Sequence, residues 1–251
     1  MLLVSDVHGE WNNLRAAASR GEPLLVLGDL INLVDYRTMD GILAEIYGKA
    51  MVTEVSHLRA AGEYEAARDV WRKARIGKET EIGESFRGLL EDSYRRAADA
   101  LAGCEAYVTY GNVDTPDLLA AMLPDEARFV DGEVIEIEGI RVAFAGGGIG
   151  PDFGAPGIIS EDEMAAKLAG LGDFDVLCTH VAPAVRQLSS DVVAGASKHS
   201  EALLQFLLDR QPSHHFFGDV HQPQAIAWKV GRTLCRNVGY FRATGRPIRH
   251  G

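Results

Sequence analysis

Two short motifs near opposite ends of the chain each combine a carboxylate and an imidazole two residues apart. Asp6 and His8 stand in Ser-Asp-Val-His-Gly, and Asp219 and His221 stand in Gly-Asp-Val-His. In extended backbone, side chains two residues apart point the same way, so each pair can grip one cation. The motifs therefore predict metal ligands, although either one alone could be a strand-end Asp followed by a turn His.

Three further residues of metal-binding type stand at comparable places. Asp29 follows a glycine, and its two carboxylate oxygens can bridge two metal ions. Asn112 offers an amide oxygen, and His180 closes an apolar run. Each also has a structural interpretation, as a turn residue or a locally satisfied histidine. Together the carboxylates, imidazoles and amide oxygen suit Mn, Fe or Zn better than a simple Mg or Ca site.

Short apolar runs precede most of these residues. Runs this short and apolar on both faces predict buried strands covered by helices, which is an α/β arrangement. In open α/β sheets, ligands bind beyond the carboxyl ends of the strands. Five of the six runs end in a side chain that can bind a metal, which favours one shared site. The runs are Leu2–Val4, Leu24–Leu27, Ala106–Tyr110, Val142–Ala145, Val176–Cys178 and His215–Phe217.

The segment between Asp35 and Gly103 has a different pattern of apolar and charged residues. Apolar residues recur there at helical spacing, with breaks at Gly62 and Gly77, and charged residues fill the other faces. The pattern predicts about three amphipathic helices. We interpret them as an insertion over about residues 36–103 of a single domain that spans residues 1–251. The insertion either caps the site or joins copies of the chain in a homo-oligomer; alternatively, its helices only cover the sheet.

Shorter elements are predicted in the second half of the chain. Ser160 and Glu163 fit a capping box that begins a helix, and Ser200–Leu208 is predicted as a further helix. The Gly/Pro-rich stretch Asp152–Ser160 is predicted as a loop. Two hairpins are predicted, Glu133–Ile137 with Arg141–Ala145 and Ala225–Val230 with Arg232–Val238.

Composition narrows the class of protein. Hydrophobic residues make up 47% of the 251 residues, enough for a sizeable core, and the formal net charge is -11. This acidity argues against a long nucleic acid as partner, since such binding needs many Lys and Arg. Cys104, Cys178 and Cys235 are predicted to be buried free thiols of a reducing compartment. With neither a signal peptide nor an apolar run of about 20 residues expected, we predict a cytoplasmic protein without a membrane partner.

The ordered set Asp-x-His, Gly-Asp, Gly-Asn-x-Asp, Thr-His and Gly-x-x-His resembles the calcineurin-like metallophosphoesterases, over residues 1–35 and 104–240. The resemblance implies two mixed β-sheets packed as a sandwich with flanking helices. It implies a dinuclear phosphoesterase in which a metal-bound hydroxide attacks a small phosphorylated metabolite or nucleotide. Two divalent ions are expected, foremost Mn, with Fe, Zn or Mg as alternatives. The implied ligands are Asp6, His8 and His221 for the first metal, Asp29 as the bridge, and Asn112, His180 and Asp219 for the second metal.

Two positions depart from the family pattern. Asp219 stands where the family usually has a His; an Asp there either ligates and favours Mn²⁺ or Mg²⁺, or weakens the second metal position. Val113 stands where many members have a His that assists the leaving group. Asp114 keeps the acidic position after it, and His199 lies in a polar loop that could reach the site. Asp114 and His199 are therefore the candidate proton donors, and the neighbouring Lys198 could meet a phosphate oxygen.

Two other functions compete with phosphoester hydrolysis. One is a non-catalytic metal-binding scaffold on the same fold, which is disfavoured because the ligand types are largely retained. The other is a metal hydrolase acting on amides or esters. Such enzymes commonly begin with His-x-His and use a carboxylated Lys as the bridge, whereas this chain has Asp-x-His and an Asp. The substrate, and the preference for diester or monoester, stay open.

Overall fold

The computed structural model describes residues 1–150, 155–193, 195 and 197–250. The strands within these residues are β1 Leu2–Val4, β2 Leu24–Leu27, β3 Ala106–Thr109, β4 Ala127–Phe129, β5 Glu133–Ile137, β6 Ile140–Ala145, β7 Gly148–Ile149, β8 Ile158–Ile159, β9 Val176–Thr179, β10 His214–Phe217, β11 Ala227–Val230, β12 Thr233–Asn237 and β13 Ile248–Arg249. The helices are α1 Trp11–Ala18, α2 Ile42–Tyr47, α3 Lys49–Ala60, α4 Tyr64–Arg75, α5 Glu79–Leu101, α6 Pro116–Met122, α7 Glu161–Ala169, α8 Arg186–Ser189, α9 Glu201–Arg210 and α10 Phe241–Thr244.

Two large mixed sheets form the frame of the protein. The first has the strand order β13-β1-β2-β3-β4, in which β1 to β4 are parallel and β13 is antiparallel to β1. The second has the order β11-β12-β10-β9-β6-β5, with four parallel central strands and antiparallel edge strands β11 and β5. Parallel strands end at the same edge of a sheet, so the loops that follow them are brought together.

The two sheets pack face to face through an apolar core, and alternation along β6 shows both faces of the second sheet. Val142 and Phe144 join a core cluster with Leu3 and Leu25 of the first sheet. Ala143, between them, points to the other face and packs with residues of α7 and α9. Full burial of each large apolar side chain stabilises the fold by roughly 1.5–3 kcal/mol. The predicted architecture of two mixed sheets flanked by helices is confirmed.

Residues 31–94 form a compact helical unit, and the remainder of the chain forms the other unit. The helical unit contains α2, α3, α4 and most of α5. The predicted breaks at Gly62 and Gly77 are confirmed, since α3 ends before the first and α4 ends before the second. A further break at Gly48 was not predicted: Gly48 has a φ of 85°, a left-handed conformation that ends α2 before α3 begins.

Several local predictions are confirmed and one is wrong in part. Ser160 caps α7 and Glu163 completes the capping box, and both predicted hairpins form as antiparallel pairs. The stretch Asp152–Ser160 is not all loop, because Ile158–Ile159 forms β8, which pairs in parallel with β7; residues 152–154 lie outside the described residues. The three cysteines are buried free thiols as predicted. No helix among the described residues has both the length and the apolar character needed to cross a bilayer.

Candidate metal centre

All seven predicted ligands lie just beyond the carboxyl ends of parallel strands. In the first sheet these strands are β1, β2 and β3, and in the second sheet they are β9 and β10. The site therefore draws on the same edge of both sheets rather than on one loop. The first sheet contributes Asp6, His8, Asp29 and Asn112, and the second contributes His180, Asp219 and His221.

Asp6, His8 and His221 form a first group, in which one ligand atom of each residue lies within 4.8 Å of the others. The Nε2 atoms of the two histidines are 3.2 Å apart, and Nε2 of His221 is 3.3 Å from Oδ1 of Asp6. Two imidazole nitrogens that face each other at this distance need a shared proton or a cation. Asp6 Oδ1 is buried and has no hydrogen-bond partner among the described residues, which also suits a bound cation.

Asp6, Asp29 and His180 form a second group of the same kind. Nε2 of His180 lies 3.4 Å from Oδ1 of Asp29 and 3.2 Å from Oδ1 of Asn112. The other ring nitrogen of His180 is 2.8 Å from the carbonyl oxygen of Leu27. Because a carbonyl only accepts, Nδ1 carries the proton there, and Nε2 is turned toward the oxygen ligands.

Asp29 belongs to the second group and also faces the first, and Asp6 is a member of both. Oδ1 of Asp29 faces His180 of the second group, while its Oδ2 lies 3.7 Å from Nε2 of His8 in the first group. The side chain is almost fully buried, and Oδ1 also accepts a hydrogen bond from the backbone N–H of Val113 at 3.1 Å. This orientation suits the bridging position expected for Asp29.

The backbone at the site is held in an uncommon conformation. Four of the predicted ligands have positive φ: Asp6 at 59°, His8 at 44°, Asp29 at 53° and Asp219 at 64°. Non-glycine residues seldom adopt this region, and strained positions of this kind cluster at functional sites. The loops after the strands thus adopt an energetically unfavourable backbone conformation, and this conformation directs the four side chains toward one another.

The charges of the cluster are strongly coupled. Burial opposes the charge of Asp6, but its interactions with His221 and His180 together outweigh burial and lower the pKa of Asp6 to about 2. Burial likewise opposes a charged His180, yet attraction to Asp29 and Asp219 raises the pKa of His180 to about 10. Buried carboxylates that hold on to their negative charge attract cations. The buried Asp and His residues could hold a metal ion.

Asp219 has a different partner from the other predicted ligands. Its Oδ1 accepts from Nζ of Lys198 at 2.5 Å, and its carbonyl oxygen lies 3.2 Å from the same ammonium. Oδ1 of Asp219 is also 3.8 Å from Nε2 of His180. Burial opposes the charge of Lys198, but attraction to Asp219 and Asp29 outweighs it and raises the pKa of the ammonium. Asp219 thus faces the second group without belonging to either group.

Neither candidate proton donor has an arrangement that favours that role. Asp114 is fully buried, and its carboxylate accepts from the backbone N–H groups of Asp29 at 2.8 Å, Leu30 at 3.1 Å and Gly111 at 2.9 Å. Burial, with repulsion from Asp29, raises the pKa of Asp114 to about 6. A role in positioning the two strand-end loops fits this environment better than proton donation.

His199 lies in the loop before α9 and is tied to its own neighbours. Nδ1 is 3.1 Å from Oγ of Ser197, and Nε2 is 3.9 Å from a carboxylate oxygen of Glu201. Among the described residues, these local pairs are its polar contacts, and none joins it to the two groups. The structure does not bring His199 to the cluster, so its prediction as proton donor gains no support from this placement.

Tyr240 and Arg242 were missed by the sequence reasoning. The ring of Tyr240 stacks on His221, with centroids 4.0 Å apart and planes 9° apart. Arg242 donates to the carbonyl oxygen of His8 at 3.2 Å. Both residues follow β12, which is parallel to β10. The strand-end rule that located the ligands would have pointed to this segment as well, had the run before it been treated as a parallel strand rather than half of a hairpin.

Comparisons with known proteins support the fold. No protein-family model and no curated protein matches the chain. One similar solved structure has a TM-score of 0.58 and 15% identity, covering 96% of this chain and 90% of the other. The crystal structure of TT1561 from Thermus thermophilus has a TM-score of 0.55 and 11% identity, covering 98% of this chain and 96% of the other. At these identities the likeness extends to the fold alone.

Proposed function

We propose that this chain is a metal-dependent phosphoesterase of the calcineurin-like type, with two divalent ions, foremost Mn²⁺, held between the two sheets' carboxyl edges. The observation that carries the proposal is the orientation of Asp29, which presents one carboxylate oxygen to His8 of the first group and the other to His180 of the second. A carboxylate placed in this way suits a pair of metal ions, the arrangement used to cleave phosphoesters by in-line displacement.

The donor set fits such ions. His8 and His221 with Asp6 would hold one ion, and His180 with Asn112 and Asp219 would hold the other, with Asp29 between them. The ions would supply Lewis-acid activation of a water molecule and of the phosphoryl oxygens. The chain's own part is to orient these ligands: Leu27 fixes the ring of His180 through its carbonyl oxygen, and Asp114 fixes the backbone of Asp29.

The chain's charge and site also support a small substrate. The formal net charge of -11 disfavours a long polyanion at the surface. A small phosphorylated metabolite or nucleotide meets mainly the centre, where bound cations reverse the local field. We therefore propose such a compound as substrate, as either a diester or a monoester. We also propose a cytoplasmic location for the enzyme, since its three cysteines are free thiols.

The test is a comparison of turnover and metal content on one preparation. Protein purified with Mn²⁺ is assayed on bis-p-nitrophenyl phosphate and on p-nitrophenyl acetate. We expect phosphodiester cleavage that a chelator removes and added Mn²⁺ restores. Turnover of the acetate alone would instead indicate an ester or amide hydrolase. Bound metal without cleavage of any phosphoester, in a screen of phosphorylated metabolites, would indicate a non-catalytic scaffold.

A further inference from the structure

A lysine side chain enters the metal centre at the predicted ligand Asp219. Nζ of Lys198 lies 2.5 Å from Oδ1 of Asp219 and 3.2 Å from its carbonyl oxygen. The carboxylate of Asp219 is only 2% exposed, whereas the side chain of Lys198 is 40% exposed. The ammonium therefore reaches inward from a partly open loop to a buried anion.

The same carboxylate oxygen faces the second ligand group. Oδ1 of Asp219 is 3.8 Å from Nε2 of His180, and that nitrogen is 3.4 Å from Oδ1 of Asp29. An ion held by His180, Asn112 and Asp29 would gain Oδ1 of Asp219 as a further ligand. The ammonium of Lys198 already uses this oxygen, and a carboxylate oxygen that neutralises one cation closely has less attraction for another.

The loop around Lys198 permits the side chain to leave while the backbone stays. The backbone N–H of Lys198 donates to the carbonyl oxygen of Ser189 at 3.0 Å. Two residues later, Ser200 caps α9 by accepting from the backbone N–H of Leu203. These two hydrogen bonds hold the main chain in place. The partly exposed side chain of Lys198 can therefore rotate outward without breaking either of them.

We propose that Lys198 and the second divalent ion compete for Asp219, so that the two metal positions differ widely in affinity. The inference rests on the proposed function, because it needs a centre that binds divalent ions. In this scheme the first group, whose Asp6 is attracted to Lys198 but is not its ion-pair partner, fills at low Mn²⁺ concentration. The second group fills only when the ion displaces the ammonium, so activity rises in a second step with Mn²⁺.

The experiment measures Mn²⁺ binding by calorimetry and Mn²⁺ pairing by electron paramagnetic resonance. Wild type is compared with Lys198→Met and with Lys229→Met, which removes an exposed lysine of β11 as the matched control. We expect wild type and the control to bind one ion tightly and a second weakly. In Lys198→Met the second ion should bind about tenfold more tightly or better, since close charge pairs couple at least this strongly. The signal of exchange-coupled Mn²⁺ should then appear at lower metal concentration.

Two additional variants test whether the change in affinity for the second ion comes from the charge of Lys198 acting on Asp219. Lys198→Gln, whose side chain is polar, uncharged and one atom shorter than that of lysine, should behave like Lys198→Met and covers the case in which methionine disturbs the loop. Adding Asp219→Asn to Lys198→Met should cancel the gain, because the contested oxygen loses its charge. Equal affinity for the second ion in wild type and both Lys198 variants would overturn the competition and leave the phosphoesterase proposal standing. Lack of Mn²⁺ binding in every variant would overturn both.

Discussion

The backbone N–H of Asp219 donates to Oδ2 of Asp6 at 3.1 Å, joining residues that follow strands of different sheets. Because Oδ2 of Asp6 accepts this bond, Oδ1 is left to face Nε2 of His221, which is 3.3 Å away. Gly218 lies directly beside this bond, and the backbone of Gly218 donates to the carbonyl oxygen of His180 at 2.9 Å. The close approach of the two sheets at this point aligns the first ligand group with the second.

Gly218→Ala should disrupt this contact. A Cβ at Gly218 would collide with Oγ of Ser5 and lie 2.5 Å from Oδ2 of Asp6. Overpacking of a closed site costs about 1–3 kcal/mol, and the displaced Asp6 should bind Mn²⁺ more weakly. Urea denaturation and Mn²⁺ calorimetry measure the two effects. Gly172→Ala is the control, because a Cβ there has no atom within 4 Å; equal behaviour of the two variants would contradict the argument.

Asp29→Asn should abolish phosphoester cleavage while the fold persists. The amide oxygen of the new side chain can keep the bond from the N–H of Val113, but the amide nitrogen cannot ligate a cation opposite His8. We expect activity below a few per cent of wild type, roughly 2 kcal/mol or more of lost transition-state stabilisation, and fewer Mn²⁺ ions per chain. Metal analysis and circular dichroism follow the activity assay.

The control for this change is Asp175→Asn. Asp175 is a half-exposed carboxylate paired with Arg141 at 3.1 Å, away from the centre, so its variant should keep both metal and activity. Substantial turnover in Asp29→Asn with intact metal content would remove the bridging role from Asp29.

Alternating and strand-ending patterns made the frame of the site predictable. Asp6 and His180 stand at the ends of apolar runs that form β1 and β9, so local sequence and the geometry of parallel strands placed them together. β4 was missed because it is only Ala127–Phe129, with a charged residue at its centre and no buried position. So short an edge strand gives no periodic signal.

Contacts within the site were less predictable, because they depend on which loops, distant in sequence, the fold brings next to one another. The pairing of Lys198 with Asp219 spans 21 residues and follows from the path of an irregular loop. The stacking of Tyr240 on His221 depends on β12 lying next to β10 in the second sheet. Residue type identified the ligands, whereas their partners required the folded chain.

Tyr240→Ala should weaken Mn²⁺ binding by about tenfold, the scale found when a residue that orients a metal ligand is removed. The ring of Tyr240 lies parallel to His221 and edge-on to His8, at 4.0 Å and 6.1 Å between centroids, so its removal frees both imidazoles. Tyr240→Phe keeps the stack and should bind Mn²⁺ as wild type does. An equal loss in Tyr240→Phe, by calorimetry, would assign the effect to the hydroxyl and contradict the stacking argument.

His215 should make the fold sensitive to acid. Its Nε2 is 2.8 Å from Oγ1 of Thr179, and that hydroxyl donates to the carbonyl oxygen of Val181 at 2.7 Å, so Nε2–H of His215 is the donor to Thr179. The ring is fully buried, and Nδ1 has no hydrogen-bond partner among the described residues. Burial lowers the pKa of His215 from 6.5 to about 3.

Because the unfolded chain protonates His215 at higher pH than the folded chain does, the unfolded state gains protons first on acidification. The stabilisation from a neutral His215 is complete above pH 6.5 and is lost progressively as the pH falls toward 3. Between about pH 7 and about pH 5 this group should cost wild type about 2 kcal/mol of unfolding free energy. His215→Phe should lack that part of the loss, whereas His199→Phe, at a partly exposed histidine, should retain it. Urea denaturation in chelator at both pH values measures the difference, and identical pH dependence in wild type and His215→Phe would show that His215 does not control it.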